Sequence, residues 1–182
     1  MIDYGPGGPG NYQSPVINPM KQVYLSLGSN FGDRVAHIRQ ALAMLPPAGI
    51  GIVRTSSFYH TEPVDYAPQP WFANVVAEAS TALLPLQLLH KCQAIEKALG
   101  RRPCIPKGPR PIDIDILLYE NAIVRSRGLR IPHPRLAERR FVLVPLCELA
   151  PALRHPVTSR TVRAMLQETA DRGQVRRMKD DR

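Results

Sequence analysis

At 182 residues, 44% of them hydrophobic, the chain suits one packed domain and is too apolar to be disordered throughout. A formal charge of +9 calls for an acidic partner, which leaves nucleic acid, an anionic membrane surface or a polyphosphate open. No apolar run approaches the roughly 18–20 residues that span a bilayer, and the start of the chain lacks the basic-then-apolar order of a secretory signal.

Cys92, Cys104 and Cys147 are odd in number and form no C-x-x-C spacing, against both a disulfide framework and a zinc site. The expected location is therefore the cytoplasm. Residues 1–20, rich in Gly, Pro, Asn and Ser, are expected to form a disordered extension, with Met20 as the physiological start. Residues 21–169 read as a single domain. Val23, Leu25 and Leu27 alternate with Tyr24 and Ser26, the period of a half-buried strand. Gly28-Ser29-Asn30 is expected to turn the chain, and Asp33 to start a helix with the stripe Val35, Ile38, Leu42 and Leu45, stopped at Pro46-Pro47. Strands follow over about residues 50–59 and 72–79. Pro85 suits the first turn of a second helix, striped by Leu86, Leu89, Ile95 and Leu99 and closed at Gly100. Residues 101–111 read as a loop leading into a strand over 112–119. A short extended piece near 129–131 precedes a helix over about 142–149. Thr158 or Ser159 is placed to cap a last helix that ends near Thr169, and residues 170–182 read as a charged, solvated tail. The order β-α-β-β-α-β predicts an α+β fold, a ferredoxin-like sandwich with helices packed on one face of an antiparallel sheet. That topology hosts many functions and decides none.

Chemistry concentrates in Pro109-Arg110-Pro111-Ile112-Asp113-Ile114-Asp115-Ile116. In a strand, residues two apart share a face with Cα atoms about 6.5–7 Å apart, so the isoleucines go to one side and both carboxylates to the other. Two carboxylates that close repel each other, and a cation between them removes the cost. Hard oxygen ligands suit Mg²⁺, which keeps several waters and shares its remaining positions with phosphates. The plainer alternative is an acidic stripe on the wet face of a strand, and for an isolated D-x-D it is the better reading. The basic loop directly upstream, with Arg101, Arg102, Lys107 and Arg110, shifts the balance: guanidinium forks beside a metal could neutralise a triphosphate. A Walker-type P-loop motif is not found in the sequence, and Gly28-Ser29-Asn30-Phe31-Gly32 is a weak phosphate-loop candidate at most. His133, between two prolines, could donate to a phosphate. Phe72, Trp71 and Phe141 are core or rim by default, and an aromatic sandwich for a flat heterocycle is the sharper reading.

Five segments in order carry a resemblance. Leu25-Ser26-Leu27-Gly28-Ser29-Asn30, Ser57-Phe58-Tyr59-x-Thr61-x-Pro63, Phe72-x-Asn74, Gly108-Pro109-Arg110-x-Ile112-Asp113-Ile114-Asp115-Ile116 and Ile131-Pro132-His133-Pro134 together resemble the 6-hydroxymethyl-7,8-dihydropterin pyrophosphokinase family. The match runs from about Val23 to Leu166. It implies a ferredoxin-like α+β fold and transfer of pyrophosphate from ATP to the pterin's hydroxymethyl oxygen, releasing AMP, in folate biosynthesis. By matching position, Asp113 and Asp115 would hold two Mg²⁺ ions. Arg101 and Arg110 would neutralise the triphosphate, with Arg102 assisting from the loop. Gln93, Glu96, Ile116 and His133 would line the ATP and metal region. Phe72 and Phe141 would stack on the pterin, Asn74 would bond its polar edge with help near Thr61 and Val64, and Arg139 would lie near the substrate junction. Lys107 stands where many members have Trp, and Pro134 where part of the family has an aromatic residue. The resemblance implies small-molecule substrates, no nucleic acid or membrane partner, and a monomer. The rival classes are a ferredoxin-like nucleic-acid-binding module and an inactive relative kept as a scaffold.

Overall fold

The computed structural model describes residues 18–64, 69–101 and 108–179. Most of the expected N-terminal extension, and Arg102, Pro103, Cys104, Pro106 and Lys107 of the basic loop, lie outside the described residues. The strands are β1 (Lys21–Ser29), β2 (Ile50–Thr55), β3 (Tyr59–Thr61), β4 (Phe72–Thr81), β5 (Asp113–Tyr119), β6 (Val124–Ser126), β7 (Leu129–Ile131) and β8 (Val175–Arg177). The helices are α1 (Arg34–Met44), α2 (Pro85–Ala98), α3 (Arg140–Leu149) and α4 (Val162–Glu168). No helix among the described residues is long and apolar enough to cross a membrane.

The main sheet is antiparallel, in the order β5-β1-β4-β3-β8, with β2 also on β4 and β6-β7 forming a separate hairpin. Alternation in the central strands sends Leu25, Leu27, Val75, Ala77, Ile114 and Ile116 into one core, together with Ile38, Leu88, Cys92 and Ile95 from α1 and α2. A bulge at Leu117, where the β1–β5 register shifts, sends both Leu117 and Leu118 into the second core. There they join Tyr24, Val76 and the α3–α4 residues Val142, Leu143, Leu146, Val162 and Met165.

The helices thus cover both faces, not the one expected. The reason is apolar area: Tyr24, Val76, Leu117 and Leu118 would face water without α3 and α4. Those helices cover one end of that face. Ser26, Gly28, Asn74, Asp113 and Asp115 remain uncovered at the other end and line a pocket.

Four local expectations change. The strand expected over residues 50–59 is two, because the chain kinks at Ser56. Ser56 keeps the ladder intact by taking the Val76 N–H on its hydroxyl (3.0 Å) while its own N–H donates to the Val76 carbonyl (2.9 Å). Gly28 and Ser29 continue β1 instead of turning. The cap of α4 is Thr161, whose side chain accepts from the Ala164 N–H, because Ser159 takes φ +56° in the turn before it. The expected tail is partly sheet: β8 pairs with β3.

Candidate active site

β5 brings Asp113 and Asp115 to the open face, as the alternation required, and the basic residues converge on them from three other segments. Arg101, just past α2, bonds Asp113 Oδ1 at 2.6 Å and also pairs with the buried Glu96. Arg110 holds Asp113 Oδ2 at 2.7 Å. Arg139, at the start of α3, lies 3.6 Å from Asp115 Oδ2, and His133 Nε2 lies 4.0 Å from the same oxygen. Glu96 accepts the Ile114 N–H at 2.7 Å, which ties α2 to the strand that carries both carboxylates.

Burial sets the protonation behaviour. Asp115 is pushed up to about 6, first by desolvation and then by the negative charge of Asp113, against the pull of Arg139, Arg110 and Arg101. Its side chain remains 37% exposed, so solvent reaches the carboxylate. Glu96 is raised to about 7, mainly by desolvation. His133 is lowered to about 4 by burial and by Arg139 and Arg135, so its ring is neutral near pH 7. Its Nδ1 accepts from the Arg135 N–H at 3.2 Å, which leaves the proton on Nε2, the nitrogen that faces Asp115.

The same pocket holds the expected aromatic and amide groups. Phe72, Asn74, Thr61, Val64, Phe141 and Arg139 all line it. Asn74 Nδ2 donates to Thr61 Oγ1 at 2.7 Å, which turns its Oδ1 toward Gly28. Arg110 lies 5.4 Å from the Phe72 ring centroid and Arg139 lies 5.5 Å from that of Phe141, so each ring carries a guanidinium. Ile116 borders a neighbouring hollow with Asp115, His133, Arg127 and Arg130. Gln93 is exposed on α2, three residues before Glu96.

Some pocket residues carried no role in the sequence. Glu62, Gln69 and Arg135 line the wall, and Asn30 lies behind it. The buried Asn30 is a clamp: its Oδ1 accepts the Arg110 N–H at 2.8 Å and its Nδ2 donates to Gln69 at 2.9 Å. The Gly-Ser-Asn segment was the visible signal, but a turn and a side-chain clamp look alike in one sequence.

The donor set fits a hard divalent cation. Two carboxylates share one face, and Mg²⁺ completes its shell with water and phosphate oxygens. The surroundings fit a polyphosphate: Arg110 Nε is buried with no hydrogen-bond partner among the described residues, a donor suited to an anionic oxygen.

Fold and site together define a class: an α+β protein with a carboxylate pair and converging arginines at the open end of its sheet. A family model described as 7,8-dihydro-6-hydroxymethylpterin-pyrophosphokinase (HPPK) matches residues 24–151, more than half of the chain, and the chain belongs to that family. It is 43% identical over 137 residues to the 2-amino-4-hydroxy-6-hydroxymethyldihydropteridine pyrophosphokinase of Bacillus subtilis, covering 75% of this chain and 82% of that protein. It is 44% identical over 149 residues to the folic acid synthesis protein fol1 of Pneumocystis carinii, covering 82% of this chain but 20% of the fungal protein. The chain thus spans about a fifth of the length of that fungal relative. A Plasmodium falciparum HPPK-DHPS crystal structure superposes with a TM-score of 0.67 at 17% identity, over 85% of this chain and 46% of that one, a likeness of fold.

Proposed function

We propose that the chain transfers the diphosphate of ATP to the hydroxymethyl oxygen of 6-hydroxymethyl-7,8-dihydropterin, giving the pterin diphosphate and AMP, a step in folate biosynthesis. One observation carries the reading: the carboxylate pair, with Arg110 and Arg139 beside it, opens into the same pocket as Phe72, Asn74 and Phe141. A polyphosphate site and a slot for a flat, polar-edged ring are therefore side by side, as a transfer between them requires.

In this reading Asp113 and Asp115 hold Mg²⁺, two ions in the full assembly, and the bound metal supplies charge neutralisation on the phosphate oxygens. Arg101 and Arg110, held on Asp113 in this structure, turn to the triphosphate and stabilise charge as the bond to the β-phosphorus changes hands. Arg102 assists from the loop. Glu96 orients Arg101, and Gln93 and Ile116 lie toward the nucleotide. His133 offers its Nε2–H to a phosphate oxygen. Phe72 and Phe141 stack on the pterin, Asn74 reads its polar edge with Thr61 and Val64 beside it, and Arg139 sits where the two substrates meet. The working unit is one domain that starts at residue 21, a cytoplasmic monomer, and its sheet runs past the expected boundary at residue 169. Residues 1–20 are outside it. β8 adds a strand to its sheet.

A nucleic-acid-binding module of this topology would place stacking aromatics on its central strands. Of the pocket's aromatics only Phe72 lies on the central strands β1, β4 and β5, and beside it β5 presents Asp113 and Asp115, two carboxylates that repel a phosphate backbone. The test is incubation with ATP, Mg²⁺ and the dihydropterin, with AMP as the readout. AMP is expected to form with Mg²⁺ and to vanish with a chelator; AMP no higher than in the chelator control sinks the proposal.

A further inference from the structure

The family match ends at residue 151, yet the chain returns afterwards to the acceptor side of the pocket. β8 pairs with β3 so that Val175 is opposite Thr61 and Arg176 is opposite His60. One residue further on, the Glu62 N–H donates to the Gln174 carbonyl at 3.2 Å and the Gln174 N–H donates to Glu62 Oε2 at 2.8 Å. Thr61 and Glu62 both line the pocket. β8 therefore fixes the residues at which the wall leaves the sheet.

The other end of that wall is held as well. Trp71 immediately precedes Phe72, the pocket's aromatic. The Arg176 guanidinium sits 5.3 Å from the Trp71 ring centroid, and the His60 ring packs against it at 4.9 Å with a 53° tilt. Arg34, at the start of α1, donates to the Trp71 carbonyl at 2.6 Å and to His60 Nε2 at 3.0 Å. Arg176 also donates to the Gln174 side chain. One short strand thus touches both the exit of the wall at Glu62 and its return at Trp71.

We propose that β8 is a brace for the acceptor side of the pocket, and that Arg176, backed by Arg34, is a positioning residue that holds Trp71 and hence Phe72 where the acceptor ring stacks. The inference rests on the pterin reading above and deepens it. Arg176 touches neither substrate. It removes freedom from the residue that does, so its loss acts on acceptor binding and spares the nucleotide side, which is built from β5, α2 and the β6-β7 hairpin.

The test uses the full chain with Arg176→Ala and Arg176→Lys. Arg176→Ala is expected to raise KM for the dihydropterin about fivefold, leave KM for ATP within about twofold, and keep the thermal midpoint of the wild type. Arg176→Lys is expected to recover most of the loss, because an ammonium also rests on a ring face. Trp71 is the chain's one tryptophan, so acrylamide quenching of its fluorescence should rise in the Ala variant and not in the Lys variant. Unchanged dihydropterin KM in Arg176→Ala, or equal rises for both substrates with a lowered midpoint, overturns the brace. If the wild type forms no AMP, the parent reading fails by itself; quenching and direct dihydropterin binding by the two variants then decide the brace, and unchanged values for both overturn it.

Discussion

Gly28 lies between two functional requirements. It pairs with Asn74 on one side and Asp113 on the other, and a Cβ built on it would come 2.5 Å from Asn74 Oδ1. Real contacts do not reach that distance, so a side chain here must turn the Asn74 amide away from Thr61. Gly28→Ala is therefore expected to raise KM for the dihydropterin about tenfold, since a site built to bond a polar edge loses most when its partner group is misplaced. ATP affinity, measured by titration calorimetry, should stay at the wild-type value; a parallel loss of both would mean that the strand itself has moved. Arg110 makes a different claim. It grips Asp113, touches the Phe72 ring and carries a buried donor with no hydrogen-bond partner among the described residues. If that donor serves charge that develops as the β-phosphorus is attacked, Arg110→Ala should lower kcat by about 100- to 1,000-fold while weakening ATP binding less than about fivefold. Equal losses in the two would assign Arg110 to ground-state binding.

Elements with a clean period were legible before any coordinates, and those decided by a single side chain were not. The Ile-Asp-Ile-Asp-Ile alternation of β5 fixed which face carried the carboxylates, and α1 followed its stripe and stop. The stop of α2 was legible but its stripe was not: Leu88, Cys92 and Ile95 form its buried face, Leu89 and Leu99 only flank the core, and the expected Leu86 is exposed. The break between β2 and β3 depends on a serine hydroxyl standing in for a strand acceptor, and alternation is blind to that. β8, three residues amid charge, has too little apolar content to announce a strand; its pairing depends on β3. A similar long-range tie joins α3 to β3. Glu148 accepts from the Ser57 N–H at 3.1 Å, the Ser57 hydroxyl at 2.8 Å and the Tyr59 hydroxyl at 2.8 Å. Burial alone would raise this carboxyl, but the bonds from Tyr59 and Ser57 outweigh it and hold the group below its ordinary 4.5. A carboxyl depressed on folding contributes stability above its unfolded value and loses it as pH falls through the folded one. Glu148→Gln should thus cost about 1 kcal/mol near neutral pH, a modest figure because the rim is solvent-exposed. Urea unfolding should show the gap to wild type narrowing below pH 4.5. A gap of constant size would place the effect in packing instead of charge.

At the scale of the whole molecule, the +9 charge was readable as a demand for an acidic ligand, but its placement was not. Arg139 and Phe141 reach the site because α3 packs against the open face of the sheet, and no local pattern links them to Asp113; only the ordered family motifs did so. Once folded, Arg110, Arg135 and Arg139 line a concave pocket whose carboxylates are two residues apart on one strand, and Arg101 pairs with one of them, Asp113. Such a field draws in a polyanion and is indifferent to an uncharged ring. The Debye length is about 8 Å at physiological ionic strength, so added salt screens the approach of ATP far more than contacts already made inside the pocket. Raising KCl from about 0.05 to about 0.3 M should lower kcat/KM for magnesium-bound ATP several-fold while kcat changes little and the Kd of the uncharged dihydropterin holds constant. Stopped-flow association rates would locate the loss in the on-rate, as steering requires. A parallel weakening of dihydropterin binding would show salt acting on the fold, and an unchanged kcat/KM would mean that the excess positive charge does not steer ATP to this site.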